Sequence, residues 1–260
     1  MELFDVLKAR AGVPVDDPLA MLFARKAAAP GFRFVEYLKS TGTQYVLTDI
    51  VPDYSMKVVL DVKLGGTVKS STNDGRRLFG YYNRDSAFTV FADGDYNEGD
   101  YDWASYYVGF EWVSGQSWDM QIKNLKVTDR SIVIAQRGTC SWGNSTCTTA
   151  NREITKQQPT TGMPVFGIYK WTMDDFEPFT RRDMYLYSLK IYDGETLLHE
   201  LLPAERQSDN ALGLYDNVTR KFYPGTGTFQ KGDYFEPYQT SDGMILKTSD
   251  HKIYLVKEES

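Results

Sequence analysis

The sequence predicts an all-β protein, an antiparallel β-sandwich or jelly roll. Three observations carry that reading. Beyond Gly31 the apolar residues recur with a period of two, Gly, Asn and Asp clusters separate the runs, and no helix of core length interrupts them. At 260 residues the chain is long enough to bury a core without staples. Aromatic residues make up 14 % of it, with 18 Tyr, 14 Phe and 5 Trp, and such residues favour pleated strands.

Charge and hydropathy narrow the class. Hydrophobic residues are 42 % and charged ones 25 % of the chain, which is neither a disordered nor a membrane composition. The formal net charge is −6 with no basic block, so no field is supplied for neutralising phosphates, and nucleic acid is not an expected partner. No apolar run approaches the roughly 18 residues a spanning helix needs, so no membrane span is expected. Acids stand in Met1-Glu2-Leu3-Phe4-Asp5-Val6-Leu7, where a signal peptide would be basic. The expectation is synthesis in a cytoplasm without export by the usual route.

Residues 1–30 read as a helical arm. Leu3, Phe4 and Leu7 share a helical face that Gly12 and Pro14 terminate. Asp17 can cap a second helix with Pro18 at its first position. Leu19, Leu22 and Phe23 form its stripe, and Arg25 and Lys26 suit its C-terminal end. Two short amphipathic helices cannot cover both faces alone. These six apolar residues are the candidate attachment or oligomerisation interface.

The body is expected over residues 31–232. Met56, Val58, Leu60, Val62 and Leu64 alternate with Lys57, Val59, Asp61 and Lys63, a half-buried antiparallel strand. Phe88 and Val90 alternate likewise, as do Tyr106, Val108, Phe110 and Trp112, and then Trp118, Met120 and Ile122. Further strands are expected at Ser131–Gln136, Pro164–Lys170, Met184–Tyr192 and Thr196–Leu202. Turn clusters such as Thr72-Asn73-Asp74-Gly75 and Tyr192-Asp193-Gly194 separate them. Residues 233–260 look appended, with Met244–Lys247 and Lys252–Val256 as a β-hairpin that needs a surface to lie on. Cys140 and Cys147, in the polar stretch Gly138 to Asn151, either clip a local loop or stay free thiols, and the sequence leaves both open.

Two passages carry a resemblance. One is Phe34-Val35-Glu36-Tyr37-Leu38-Lys39-Ser40-Thr41-Gly42-Thr43-Gln44-Tyr45. The other opens Leu186-Tyr187-Ser188-Leu189-Lys190-Ile191-Tyr192-Asp193-Gly194 and passes through Leu201-Leu202-Pro203-Ala204. It continues through Gly213-Leu214-Tyr215-Asp216 and Lys221-Phe222-Tyr223 to Gly225-Thr226-Gly227-Thr228-Phe229. Together, over about residues 33–232, these resemble the concanavalin A-like (laminin-G-like) jelly-roll domains of gut bacteria and their phages. The motif residues themselves read as structural. Gly42 suits a turn of positive φ, Asn217–Arg220 a turn between two strands, and Gly225–Gly227 a closure beside the first strands.

The resemblance includes glycoside hydrolases, whose chemistry needs two carboxylates across one glycosidic bond. No run of alternating acids supplies that pair; Glu111 and Asp119 read as solvated surface, and the only imidazoles, His199 and His251, as structural or surface groups. An enzyme is not expected. Asp93, Asp95 and Asn97 alternate as calcium ligands can, but Glu98 and Ala104 stand where an EF-hand loop needs Gly and Glu, so the candidate is a rim Ca²⁺ site. No other cofactor is expected. Tyr106, Phe110, Trp112 and Trp118 fit a core face, whereas Trp103, Tyr107, Trp142 and Trp171 fit it less well and are the candidate glycan-stacking residues.

A lectin-like body, apolar arms at both ends and no export signal together point to a phage virion structural protein assembled in the host cytoplasm, and the resemblance implies that it is a displayed capsid or tail appendage. Its expected partners are other virion proteins, further copies of itself, and host-surface or mucin glycans. The alternative is a bacterial carbohydrate-binding surface module, followed by a glycan-active hydrolase.

Overall fold

A computed structural model describes residues 25–26, 31–51, 53, 55–65, 76–83, 86–93, 107–111, 121–122, 129–136, 138–148, 162–170, 176–178, 183–235 and 238–239. Every regular element among them is a strand, and nearly all pairings are antiparallel. Gly167–Lys170 against Arg76–Asn83 is parallel.

Lys57–Leu64 shows why the alternation works. Val58, Leu60, Val62 and Leu64 are buried in the core while Lys57, Val59 and Lys63 are only partly covered. This strand lies between Ser131–Gln136 and Met184–Asp193. On one side the ladder continues through Thr139–Trp142 to Ser145–Thr148. On the other it passes from Met184–Asp193 to Thr196–Arg206, Ala211–Asp216 and Phe222–Thr226.

A second ladder runs through Tyr45–Leu47, Pro164–Val165, Arg76–Asn83, Ser86–Asp93, Tyr107–Glu111 and Gln121–Ile122. Phe222–Thr226 joins the two. Its first half pairs with Gly213–Tyr215, and its Gly225 and Thr226 pair with Val46 and Tyr45. Side chains from both ladders, Leu60, Val62 and Leu189 with Val46, Phe79, Phe88 and Val165, make one apolar cluster. A smaller cluster holds Phe34, Leu202, Ala204 and Tyr215.

The closing motif does what its glycines suggested. Gly42 has φ +135° and Gly227 φ +80°, and Gln230–Lys231 then pairs with Leu38 and Lys39 of the opening passage. Gly213 serves a different need: a Cβ there would stand 2.2 Å from the Tyr223 carbonyl oxygen, so only glycine lets the two strands approach.

Several expectations change. Arg25–Lys26 is not the end of a helix but a short strand paired with Tyr238–Gln239. Backbone-to-backbone pairing thus satisfies these residues, and the rest of the expected helical arm lies outside the described residues. Pro164–Lys170 is not one strand, because Phe166 sits at φ +59° and breaks it. Its buried ring packs on Phe229 at 5.1 Å, which holds a bulky residue in this unfavourable region. The segment after 232 begins within the sheet, since Tyr234–Phe235 pairs with Phe34 and Val35. The expected hairpin of 244–256 lies outside the described residues.

Candidate functional site: an aromatic and charged face on the central strand

Met184 and Leu186 turn into the core, so Tyr185 points to the other face of Met184–Asp193. A register shift follows. Leu186 pairs with Val62 and Ser188 with Asp61, which makes Tyr187 the extra residue of a bulge. Tyr37 contacts both rings edge-on, at 5.0 Å from Tyr185 and 5.6 Å from Tyr187. None of the three belongs to either apolar cluster, but only Tyr37 and Tyr185 are partly exposed, since Tyr187 is buried at 7 %.

Cations border these rings. The Arg130 guanidinium lies 3.7 Å from the Tyr187 ring centre and grips the buried Asp61 with two hydrogen bonds, of 2.8 and 2.7 Å. Lys39 and Lys63 approach the Tyr185 ring at 5.2 and 5.3 Å, and Lys39 also pairs with Asp183 at 2.8 Å. Burial pushes the Tyr187 hydroxyl up to about 12 against the pull of Arg130. Burial, with Tyr185 and Glu36 beside it, also raises Tyr37. Both hydroxyls therefore stay protonated near neutral pH and can donate. Neutral hydroxyls and cations can bond to sugar hydroxyls, and an aromatic face left uncovered can stack on the apolar face of a sugar ring.

Among the described residues the other buried carboxylates are engaged. Asp216 accepts from His199 Nδ1 and Thr219 Oγ1, both at 2.7 Å, and from the backbone N–H groups of Glu200 and Val218. Glu200 pairs with Lys190 at 2.7 Å and accepts from Asn217 Nδ2. Glu205 is bound by Arg33, Lys231 and the Tyr234 hydroxyl. His199 is thereby a structural partner of Asp216, as its sequence setting suggested.

The residues singled out in the sequence fall as follows. Trp142, expected to fit a core face less well, instead ends the strand Thr139–Trp142 and is 3 % exposed within the main core. Its ring has no face left for a sugar. Tyr107 and Asp93 are register partners at the ends of Tyr107–Glu111 and Ser86–Asp93. Trp103, Trp171, Asp95, Asn97 and the arm residues Leu3, Phe4, Leu7, Leu19, Leu22 and Phe23 lie outside the described residues. Among the described residues no group of three His, Cys, Asp or Glu side chains is placed to hold a metal. Cys140 and Cys147 face each other across the hairpin as register partners, 5.3 Å apart at Cα, and form a disulfide.

Tyr37, Tyr185 and Tyr187 were not among the sequence candidates. Tyr37 and Tyr187 lie inside the motif assigned to fold, although Tyr185 and Tyr187, two apart in one strand, carried a signal of a shared face. No protein-family model, no curated protein and no solved structure matches this chain.

Proposed function

We propose that this chain is a non-catalytic, concanavalin A-like jelly-roll module displayed on a phage virion, whose Tyr37 and Tyr185 face binds glycans. The observation that carries the binding part is the aromatic and cationic face itself. Tyr37 and Tyr185 are partly exposed and lie outside both apolar clusters, and Lys39 and Lys63 stand beside the Tyr185 ring. The non-catalytic part is supported by the buried acids, since Asp61, Glu200, Glu205 and Asp216 are each engaged by donors or cations. A carboxylate so held is poorly suited to exchange a proton or attack a sugar.

A glycan array with the full chain and its Tyr185→Ala variant tests the reading. Binding that the variant loses at least tenfold, with an unchanged circular dichroism spectrum, supports it. No binding on the array, or equal binding by both chains, removes the lectin role. Turnover of a polysaccharide overturns the non-catalytic part. Co-purification of the chain with intact virions tests the virion assignment.

The Cys140–Cys147 bridge favours a second reading, a bacterial carbohydrate-binding module working outside the cell. Disulfides persist in oxidising surroundings and are rare where thiols are kept reduced.

A further inference from the structure

Residues 34–39 and 230–235, far apart in sequence, lie along each other. Lys39 pairs with Gln230, Leu38 with Lys231, Val35 with Tyr234 and Phe34 with Phe235. Between these pairs the Gly232 N–H donates to Tyr37 O, and the Glu36 N–H to Asp233 O, so one unbroken register links the two segments. Lys26 pairs with Tyr238 and Arg25 with Gln239 in a separate two-stranded sheet of different register. Read outward from the body, both segments run the same way, one toward the first residue and one toward the last.

A buried acid ties this pairing to the body. Glu205 has a side chain only 5 % exposed and is the register partner of Arg33. Its carboxylate accepts from Arg33 on the N-terminal strand and from Lys231 and Tyr234 on the C-terminal one. Tyr234 is 46 % exposed, yet its ring is bordered by Arg33 and Lys231, each 4.2 Å from its centre. Three segments distant in sequence therefore meet on one carboxylate. A short two-stranded ribbon is marginal in water by itself, so its order depends on the partner strand and on this anchor.

We propose that residues 31–39 and 230–235 form a clasp anchored on Glu205, and that the separate pairing of 25–26 with 238–239 holds only while this clasp is closed. This stands independently of the glycan and virion assignments. It means that whatever disturbs the Glu205 anchor also frees the strand at 25–26.

Limited trypsin digestion reads the clasp, because Arg25 and Lys26 are cleavage sites in the strand that depends on it. A chain ending at Phe229 is expected to be cut there at least tenfold faster than the full chain, with Lys57 and Lys190 in the central strands still resistant. Glu205→Gln, which weakens the anchor without removing a strand, gives a smaller increase at the same sites. A full-length chain with Lys26→Cys and Tyr238→Cys provides a readout that needs no truncation. Its new cysteines are expected to cross-link under conditions where Cys140 and Cys147 are joined, more completely than a Lys26→Cys, Gln239→Cys chain one step out of register. Unchanged cleavage at Arg25 and Lys26 in Glu205→Gln or in the shortened chain overturns the proposal. If that chain unfolds throughout, equal cross-linking of the two cysteine pairs, or none, overturns it.

Discussion

Asp216 offers a quantitative test of how the polar side of this fold is held. It is fully buried, and four donors converge on its carboxylate. In Asp216→Ala the Thr219 hydroxyl and Val218 N–H, which lie on an exposed turn, can turn to water. The Glu200 N–H cannot, because Glu200 is 4 % exposed, and His199 is only partly able to. Leaving a buried donor unpaired costs about 1–3 kcal/mol, and losing hydrogen bonds to a charged group adds about 1.5–3 kcal/mol. A loss of about 3–5 kcal/mol is expected, against a typical total stability of about 5–15 kcal/mol. Asp216→Asn keeps one acceptor oxygen and should lose about half as much. Urea unfolding at pH 7, followed by intrinsic fluorescence, gives both numbers. A loss below about 1 kcal/mol for Asp216→Ala would refute the claim that this carboxylate organises the turn.

The same residue sets an acid limit. Burial alone would raise its pKa, but His199, Thr219 and the Glu200 and Val218 N–H groups outweigh it and hold the carboxyl at about 2, against 3.8 ordinarily. The folded value is the depressed one. Its contribution is therefore complete above about pH 4 and is lost as the pH falls through about 2. That contribution is on the order of 2 kcal/mol. The wild-type urea midpoint should fall between pH 4 and 2 more steeply than that of Asp216→Asn, and parallel curves would contradict the assignment.

Other outcomes follow from single contacts. The Cys140–Cys147 bridge closes a loop with a sequence separation of 7, so replacing both cysteines by serine should cost about 2–3 kcal/mol by chain entropy, measured by thermal unfolding. Mass spectrometry without reductant should find the pair joined, and free thiols in the folded protein would contradict the hairpin geometry. Arg130→Ala strands Asp61 as a buried charge and should cost about 3–5 kcal/mol, whereas a loss under about 1 kcal/mol would show that water reaches Asp61. Gly213→Ala drives a methyl into the Tyr223 carbonyl and should cost about 2–3 kcal/mol in urea, and a neutral result would mean the two strands are free to separate.

The apolar side of the fold was legible from particular residues. The alternation over 56–64 placed Val58, Leu60, Val62 and Leu64 in the core, and Ser131–Gln136 has the bounds that its pattern gave. The turn at Gly42 and the closing of 230–231 beside 38–39 were readable because a positive φ and a final strand leave marks in composition. Trp142 was misplaced because period two is hard to judge in a stretch as short as Gly138–Asn151, where a disulfide supplies order that hydropathy does not record. The break at Phe166 left no mark at all, since a phenylalanine gives no sign of a left-handed backbone. Arg25 and Lys26 read as helical because local spacing reports helix propensity and not a strand partner more than two hundred residues away. The aromatic face was missed for a related reason. Tyr37, Tyr185 and Tyr187 come from two distant segments, and only their pairing on neighbouring strands brings the rings together.

The buried charges supply a kind of information that the apolar pattern lacks. Alternation with period two forbids a slip of one residue, which would turn every apolar side chain to the wrong face, but it is indifferent to a slip of two. The ion pairs are not indifferent. Lys190 and Glu200 are direct register partners, as are Arg33 and Glu205, and Arg130 reaches Asp61 from the end of the adjoining strand. A slip of two along Met184–Asp193 and Thr196–Arg206 keeps Leu189, Ile191 and Leu201 facing the core yet carries Lys190 past Glu200. It leaves a carboxylate that is 5 % exposed without its cation. An uncompensated buried charge costs several kcal/mol, comparable with the stability of a whole domain. Asp61, Glu200 and Glu205 thus discriminate among the registers that the hydrophobic pattern allows.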